Sequence, residues 1–382
     1  MPTRREFLKQ TATSLAAVDS VPATKAAEGA AALKPPAARS RTTVMRRGKV
    51  SRLGAEDLFD LQFLRDARLS PDGRIVAYAV SHTDGDEERF EIWLGGIEGR
   101  DQGRLPYSGN ATAPRWSPDG RWLAFAGDGR LRVAAVPSLT VSDPLTPEPL
   151  SVQGAASWSP DSTRLAVSLL ERRVVDGPRR ITSTLFRADG VGFLDTFSQR
   201  IYEVDRSSRA LRCLTTPAEG VCSQPEWSPC GRRILFLASE DAVPFASYSP
   251  RLLTIGVEDG KITEVLGHPW FITGARWLPG GERIAVAAAR DSALTIPNPR
   301  VWLVDVVGGN THLRTPGMIG NVGCRIHHDM PAWDLMDGNM LTVLDGTTAF
   351  ASVQRGGTVE AWRVALVGDI AVDRVLTGER AC

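Results

Sequence analysis

Trp116-Ser117-Pro118-Asp119-Gly120, followed by Arg121-Trp122-Leu123-Ala124-Phe125, is the stretch that decides how this chain folds. Proline presets φ at the first corner of a turn, Asp bonds the backbone two residues on, and Gly accepts the left-handed conformation that closes a tight hairpin. The apolar run behind the turn reads as a strand buried on both faces.

The same unit recurs along the chain. Leu69-Ser70-Pro71-Asp72-Gly73 is complete, Trp158-Ser159-Pro160-Asp161-Ser162 lacks the Gly, and Trp227-Ser228-Pro229-Cys230-Gly231 lacks the Asp. Trp277-Leu278-Pro279-Gly280-Gly281 and Trp333-Asp334-Leu335-Met336-Asp337-Gly338 are more degenerate. Successive copies stand roughly 40 to 55 residues apart, the spacing of a four-stranded propeller blade, with one longer step between Trp158 and Trp227. The strand after each turn is read as Ile75–Tyr78, Leu123–Phe125, Leu165–Val167, Ile234–Phe236, Ile284–Val286 and Leu341–Val343. A third strand often carries an aromatic, as in Ile92-Trp93-Leu94 and Val301-Trp302-Leu303, and a fourth closes the unit near motifs such as Leu145-Thr146-Pro147.

The reading is therefore all-β: a β-propeller of about six four-stranded blades, or a seven-bladed ring short of one blade. The expected blades are 66–110, 111–150, 151–218, 219–268, 269–317 and 318–378, within a propeller spanning 51–382. The tryptophans are expected to wedge between blades as packing anchors. A ring lacking a blade would leave two apolar sheet faces uncovered and open to a partner.

Composition agrees and removes other classes. The chain has 382 residues, 36 Gly, 25 Pro and 10 Trp, rich in both turns and large anchors. Its 45 basic and 44 acidic side chains leave a net charge of +1, so no global field draws it to nucleic acid or an anionic membrane. No apolar run approaches the roughly 18 residues of a spanning helix. Residues 1–50 read as a leader and flexible linker: Thr3-Arg4-Arg5-Glu6-Phe7-Leu8-Lys9 fits the twin-arginine export pattern, which would place the mature protein in the periplasm. If that leader fails, the protein is cytoplasmic.

Gly54-Ala55-Glu56-Asp57-Leu58-Phe59-Asp60-Leu61 ahead of the first turn, and Arg187-Ala188-Asp189-Gly190-Val191-Gly192-Phe193 in the third unit, resemble segments of one family. They are similar to the N-terminal propellers of prolyl oligopeptidase and acylaminoacyl peptidase type serine peptidases, although TolB-type propellers share the short turn. The resemblance implies a propeller seated over an α/β-hydrolase domain, restricting the access of peptides to a Ser, Asp, His triad. This sequence has no Gly-x-Ser-x-Gly nucleophile elbow, and no region alternates strands with long helices as such a domain must. The expectation is a non-catalytic, substrate-gating propeller, truncated or split from its hydrolase and inactive alone, with no catalytic residue, metal or cofactor. A free-standing TolB-like protein-binding propeller of the cell envelope is the alternative.

The candidate substrate-binding residues are Arg172, Arg173, Arg179, Arg180 and Arg187, gathered in a third-unit insertion longer than a blade requires. Guanidinium groups there would clamp a peptide carboxylate bidentately, whereas a solvated basic hairpin is the plainer reading. His327-His328-Asp329 has metal-ligand residue types but no ligand spacing and reads as a loop. The acidic tip at His82, Asp84, Asp86, Glu87 and Glu88 reads as solvated. The five cysteines, at 213, 222, 230, 324 and 382, are expected to be buried free thiols, with a Cys222 pairing open if the chain is exported.

Overall fold

Six antiparallel sheets follow one another along the chain, each built from strands adjacent in sequence. The computed structural model describes residues 59–99, 102–172, 196–239, 250–290, 298–323, 340–356 and 358–376, with short pieces between 177 and 193. The leader, the segment ending at Leu58, Trp333–Gly338 and His327-His328-Asp329 lie outside the described residues. Among the described residues no helix is long and apolar enough to cross a membrane.

The first blade runs Gln62–Leu69, Ile75–Asp84, Glu87–Gly96 and Gly103–Arg104. The second runs Ala111–Trp116, Trp122–Gly127, Arg130–Ala135 and Thr140–Val141. The third joins Ser151–Trp158, Arg164–Arg172, Phe197–Asp205 and Leu211–Cys213, with a two-stranded hairpin of Arg187–Ala188 and Gly192–Phe193 standing apart. The fourth is Val221–Trp227, Arg233–Ser239, Arg251–Gly256 and Ile262–Leu266, and the fifth is Trp270–Trp277, Arg283–Arg290, Arg300–Asp305 and Thr311–Leu313.

Each turn is held as its composition requires. The Ser117 hydroxyl donates to Asp119 at 2.5 Å and accepts the Trp122 N–H at 3.0 Å, and Asp119 accepts the Arg121 N–H at 3.0 Å. Ser70 with Asp72 and Ser159 with Asp161 repeat this arrangement. Gly120 takes φ 69°, and where the third unit has no Gly, Ser162 takes the same left-handed conformation at φ 61°.

The sixth blade departs from the sequence reading. Leu341–Val343 is not the strand after a turn but the inner strand, shared with Asn321–Val322 and paired to Thr348–Arg355. The hairpin that matters is Leu344-Asp345-Gly346-Thr347, where Asp345 accepts the N–H groups of Thr347 at 2.7 Å and Thr348 at 2.8 Å. An Asx turn has replaced the Ser-Pro-Asp-Gly turn, and the strand after it is Thr348–Arg355 rather than Leu341–Val343. Thr358–Ala365 and Val372–Leu376 complete it.

The apolar interior is divided among five clusters, one at each junction between consecutive blades. Trp158, Trp227 and Trp277 each sit in such a junction. The cysteine expectation holds in part: Cys213, Cys222 and Cys230 are free, but only Cys222 of these is buried. Cys213 lies on an outermost strand and Cys230 takes the exposed Asp place of a turn, positions a blade does not cover.

Candidate axial site

In the first five blades the innermost strand ends on the large residue that begins its turn. Side chains alternate along a strand, so if the Trp faces the blade junction, the residue before it faces the other way. Those preceding residues are Arg68, Arg115, Ser157, Glu226 and Arg276, and all five line one cavity of about 580 Å³.

Two local devices bring them together. The inner strands break register just upstream, between Thr112 and Arg115 and between Ser223 and Glu226, with a matching shift in the third blade and another at Ile272 and Gly274. Ala113 at φ 54°, Gly154 at φ 72° and Gln224 at φ 52° are the left-handed residues of these bulges, which re-aim the side chains that follow. The second device is a set of hydrogen bonds from each blade to the one before. The Trp116 indole N–H donates to the Arg68 carbonyl at 3.0 Å, Trp158 to the Arg115 carbonyl at 3.0 Å, and Trp277 to the Glu226 carbonyl at 3.2 Å. The fourth blade varies the theme, the backbone N–H of Trp227 rather than its indole donating to the Ser157 hydroxyl at 3.0 Å.

Arg68, Arg115, Arg276 and Glu226 are charged residues of the lining, and Asp66 pairs with Arg115 and Arg68. Arg115 Nη1 is 2.5 Å and Arg68 Nε 3.0 Å from Asp66. Burial, reinforced by the Arg115 charge, brings the Arg68 guanidinium down to about 10, still charged at neutral pH. Burial pushes the Glu226 carboxyl up to about 7, against the opposing pull of Arg276 at 3.7 Å. Glu226 Oε1 accepts the Trp277 N–H at 3.3 Å. Arg68 Nη2 and Glu226 Oε2 are buried without a hydrogen-bond partner among the described residues.

Of the insertion arginines, Arg172 and Arg187 are described, and neither is in this cavity's lining. Arg172 ends its strand exposed, and Arg187 is exposed in the short hairpin with its guanidinium 5.9 Å from the Phe193 ring centroid. Arg173, Arg179 and Arg180 lie outside the described residues. Sequence reasoning missed the axial set, although the signal was available one place upstream of each Trp. Among the described residues no group of His, Cys, Asp and Glu is arranged to hold a metal ion.

Comparison with known proteins agrees with this architecture. The family described as "WD domain, G-beta repeat" matches residues 107–133, the first turn unit of the second blade and its flanks. A Bacillus subtilis protein named "Uncharacterized peptidase YuxL" is 27% identical over 206 residues, which is 48% of this chain and 31% of that protein. The chain thus spans about a third of that relative's length. Among solved structures, the Pyrococcus horikoshii acylaminoacyl peptidase superposes with a TM-score of 0.64 at 16% identity, over 84% of this chain and 47% of its own. The propeller domain of the Pyrococcus furiosus Trilobed protease, described as having an open velcro topology, gives 0.56 at 17% identity over 83% and 86%. The chain's six sheets thus have the fold of peptidase propeller domains.

Proposed function

We propose that this propeller is the substrate-gating part of an exported serine peptidase, working with an α/β-hydrolase domain or subunit that supplies the catalytic Ser, Asp and His. The observation that carries the reading is the 27% identity to a Bacillus subtilis protein named as a peptidase, over 206 residues. The fold likeness to the acylaminoacyl peptidase supports it, and the absence of a Gly-x-Ser-x-Gly elbow from this sequence assigns the chemistry elsewhere. A propeller suits the role because side chains on the inner strands of its blades face the axis and select what passes there.

The test uses the purified chain and an active-site-directed fluorophosphonate probe. No labelling of the chain alone, together with co-purification of a probe-reactive hydrolase from envelope extract, is the expected result. Labelling of the chain itself overturns the non-catalytic assignment. Recovery of envelope proteins without a hydrolase favours a TolB-like binding role instead.

Export rests on Thr3–Lys9. Replacing Arg4 and Arg5 by Lys is expected to retain the precursor in the cytoplasm, read by cell fractionation. An unchanged distribution removes the twin-arginine assignment.

A further inference from the structure

Each middle blade buries two faces, one against the blade before it and one against the blade after it. In the fifth blade the face toward the fourth includes Trp277, Ile284, Val286 and Val306, all buried, with Trp302 packed against them. Hydrogen bonds at the turns identify the counterparts in the first blade. The Leu278 N–H donates to the Arg283 carbonyl at 2.9 Å and the Val306 N–H to the Glu282 carbonyl at 3.0 Å, as the Ser70 N–H donates to the Ile75 carbonyl at 2.7 Å and the Ile97 N–H to the Arg74 carbonyl at 3.0 Å. Counting from these bonds, Leu69, Val76, Tyr78, Trp93 and Ile97 take the places of Trp277, Ile284, Val286, Trp302 and Val306. Ala77, Ala79, Ile92 and Leu94 are buried toward the second blade, so alternation turns Val76, Tyr78 and Trp93 the other way. None of the five is buried: Leu69 and Ile97 are 52% and 64% exposed, and the other three are half-buried.

The outward face of the sixth blade is built differently. The Leu366 N–H on the Thr347 carbonyl fixes its alignment with the fifth. On the face turned to the sixth blade, the fifth pairs Ala285 with Leu303 and Ala287 with Val301. At the same places the sixth pairs Phe350 with Arg363 and Ser352 with Ala361. Arg363 donates to Asp373 at 2.7 Å, and both side chains are more than half exposed. An ion pair among these residues costs desolvation if the face is covered, whereas the aliphatic and aromatic set of the first blade gains from being covered.

We propose that the outward face of the first blade is a homodimer interface, packing on the same face of a second copy of this chain about a two-fold axis. Like on like joins Leu69, Val76, Tyr78, Trp93 and Ile97 to their own kind, while first-on-sixth packing would press them against Arg363 and Asp373. A two-fold contact of this sort closes at two copies. The one polar group of the set is already served, since the Trp93 indole donates to Glu91 at 3.2 Å and Glu91 also accepts from Arg104 at 2.6 Å. The eight-residue strand Gln62–Leu69 spans about 26 Å and four strands about 19 Å, so the pair covers roughly 500 Å² per copy and about 1,000 Å² in all. That is the small end of specific interfaces, and it makes the dimer weak and dependent on concentration. The proposal does not rest on the peptidase reading.

Sedimentation velocity of the full-length chain, from about 1 μM to about 100 μM, tests it across the range of weak association. The expected result is a shift from the 41.3 kDa monomer to a species of twice that mass and none larger. Leu69→Glu and Ile97→Glu, both at exposed positions, are each expected to weaken the dimer at least ten-fold, with the melting temperature at the lowest concentration unchanged. Arg363→Glu is expected to leave it as it was. A chain that stays monomeric throughout, species beyond the dimer, or loss of the dimer in Arg363→Glu overturns the proposal. Co-purification of a probe-reactive hydrolase by the Ile97→Glu chain separates the two readings: retention of the hydrolase with loss of the dimer supports the interface, and loss of the hydrolase gives the face to that partner and overturns it.

Discussion

The four middle blades and the two terminal ones are built from the same strands but end differently. In the middle blades the strand after the turn is buried along most of its length, as in Arg233–Ser239 and Arg283–Arg290. In the first blade the inner strand Gln62–Leu69 has no fully buried residue, and Leu64 and Leu69 are 67% and 52% exposed. The last strand of the sixth blade, Val372–Leu376, is exposed at four of five positions, with Leu376 at 67%. Leu69 occupies the place that Trp227 fills at 5% exposure three blades on. A Trp there bridges to the blade before it, whereas the first described blade carries a shorter residue half in water. Stability in such an array comes from neighbour interfaces, and among the described residues the middle blades hold two each and the first and sixth one each.

The largest effect expected from that contrast is in the middle. Phe236 is fully buried in the junction of the third and fourth blades, and Phe236→Ala should cost about 3–5 kcal/mol through lost burial and a residual cavity. Leu376→Ser should change stability by no more than about 0.5 kcal/mol, as an exposed position does. Denaturant unfolding of both variants measures the difference, and a comparable loss at Leu376 would show that the terminal sheets are covered in solution.

Hydrogen exchange reads the same contrast without mutation. Amides of Arg233–Ser239 should exchange near the global unfolding limit, and those of Val372–Leu376 at least ten-fold faster, because terminal repeats open locally. Uniform protection across the six blades breaks the comparison.

How much of this was legible in the sequence depended on whether a residue's job is local. Ser-Pro-Asp-Gly announces a turn because each member acts within four residues, and the strands behind it were read correctly in the first five blades. The axial residues carry no such local mark: Arg115 and Glu226 are unremarkable charges until alternation and an upstream bulge aim them at one cavity. The turn of the sixth blade and the strand after it were misread for a related reason. Asp345-Gly346 does the work of Pro-Asp-Gly with a side-chain turn, and the Trp333 segment resembled the motif more closely.

The fourth blade offers a smaller test within the middle set. Cys230 stands where Asp119 and Asp161 sit in the preceding turns, its thiol lowered to about 7, chiefly by the Ser228 hydroxyl at 3.4 Å. Cys230→Asp restores a carboxylate acceptor for the turn and should stabilise the protein by about 0.5–1.5 kcal/mol. Thermal unfolding at neutral pH checks it, and no gain would mean that the thiol already serves the turn as well.

The smallest effect is a pH dependence. The Ser159 hydroxyl bond, with bonds from Thr163, holds the Asp161 carboxyl below its usual value, against a weaker opposing effect of burial. A folded value below the unfolded one gives stability that is present above the unfolded pKa, near 3.9, and is lost as pH falls through the folded pKa. Asp161 is exposed, so solvent screening limits the contribution to less than about 1 kcal/mol. Asp161→Asn should therefore unfold more readily than the unaltered chain at pH 6 and match it more closely as acid is added. A gap between the two that stays constant down to pH 3 would assign the turn's strength to Ser159 and the backbone rather than to the carboxylate.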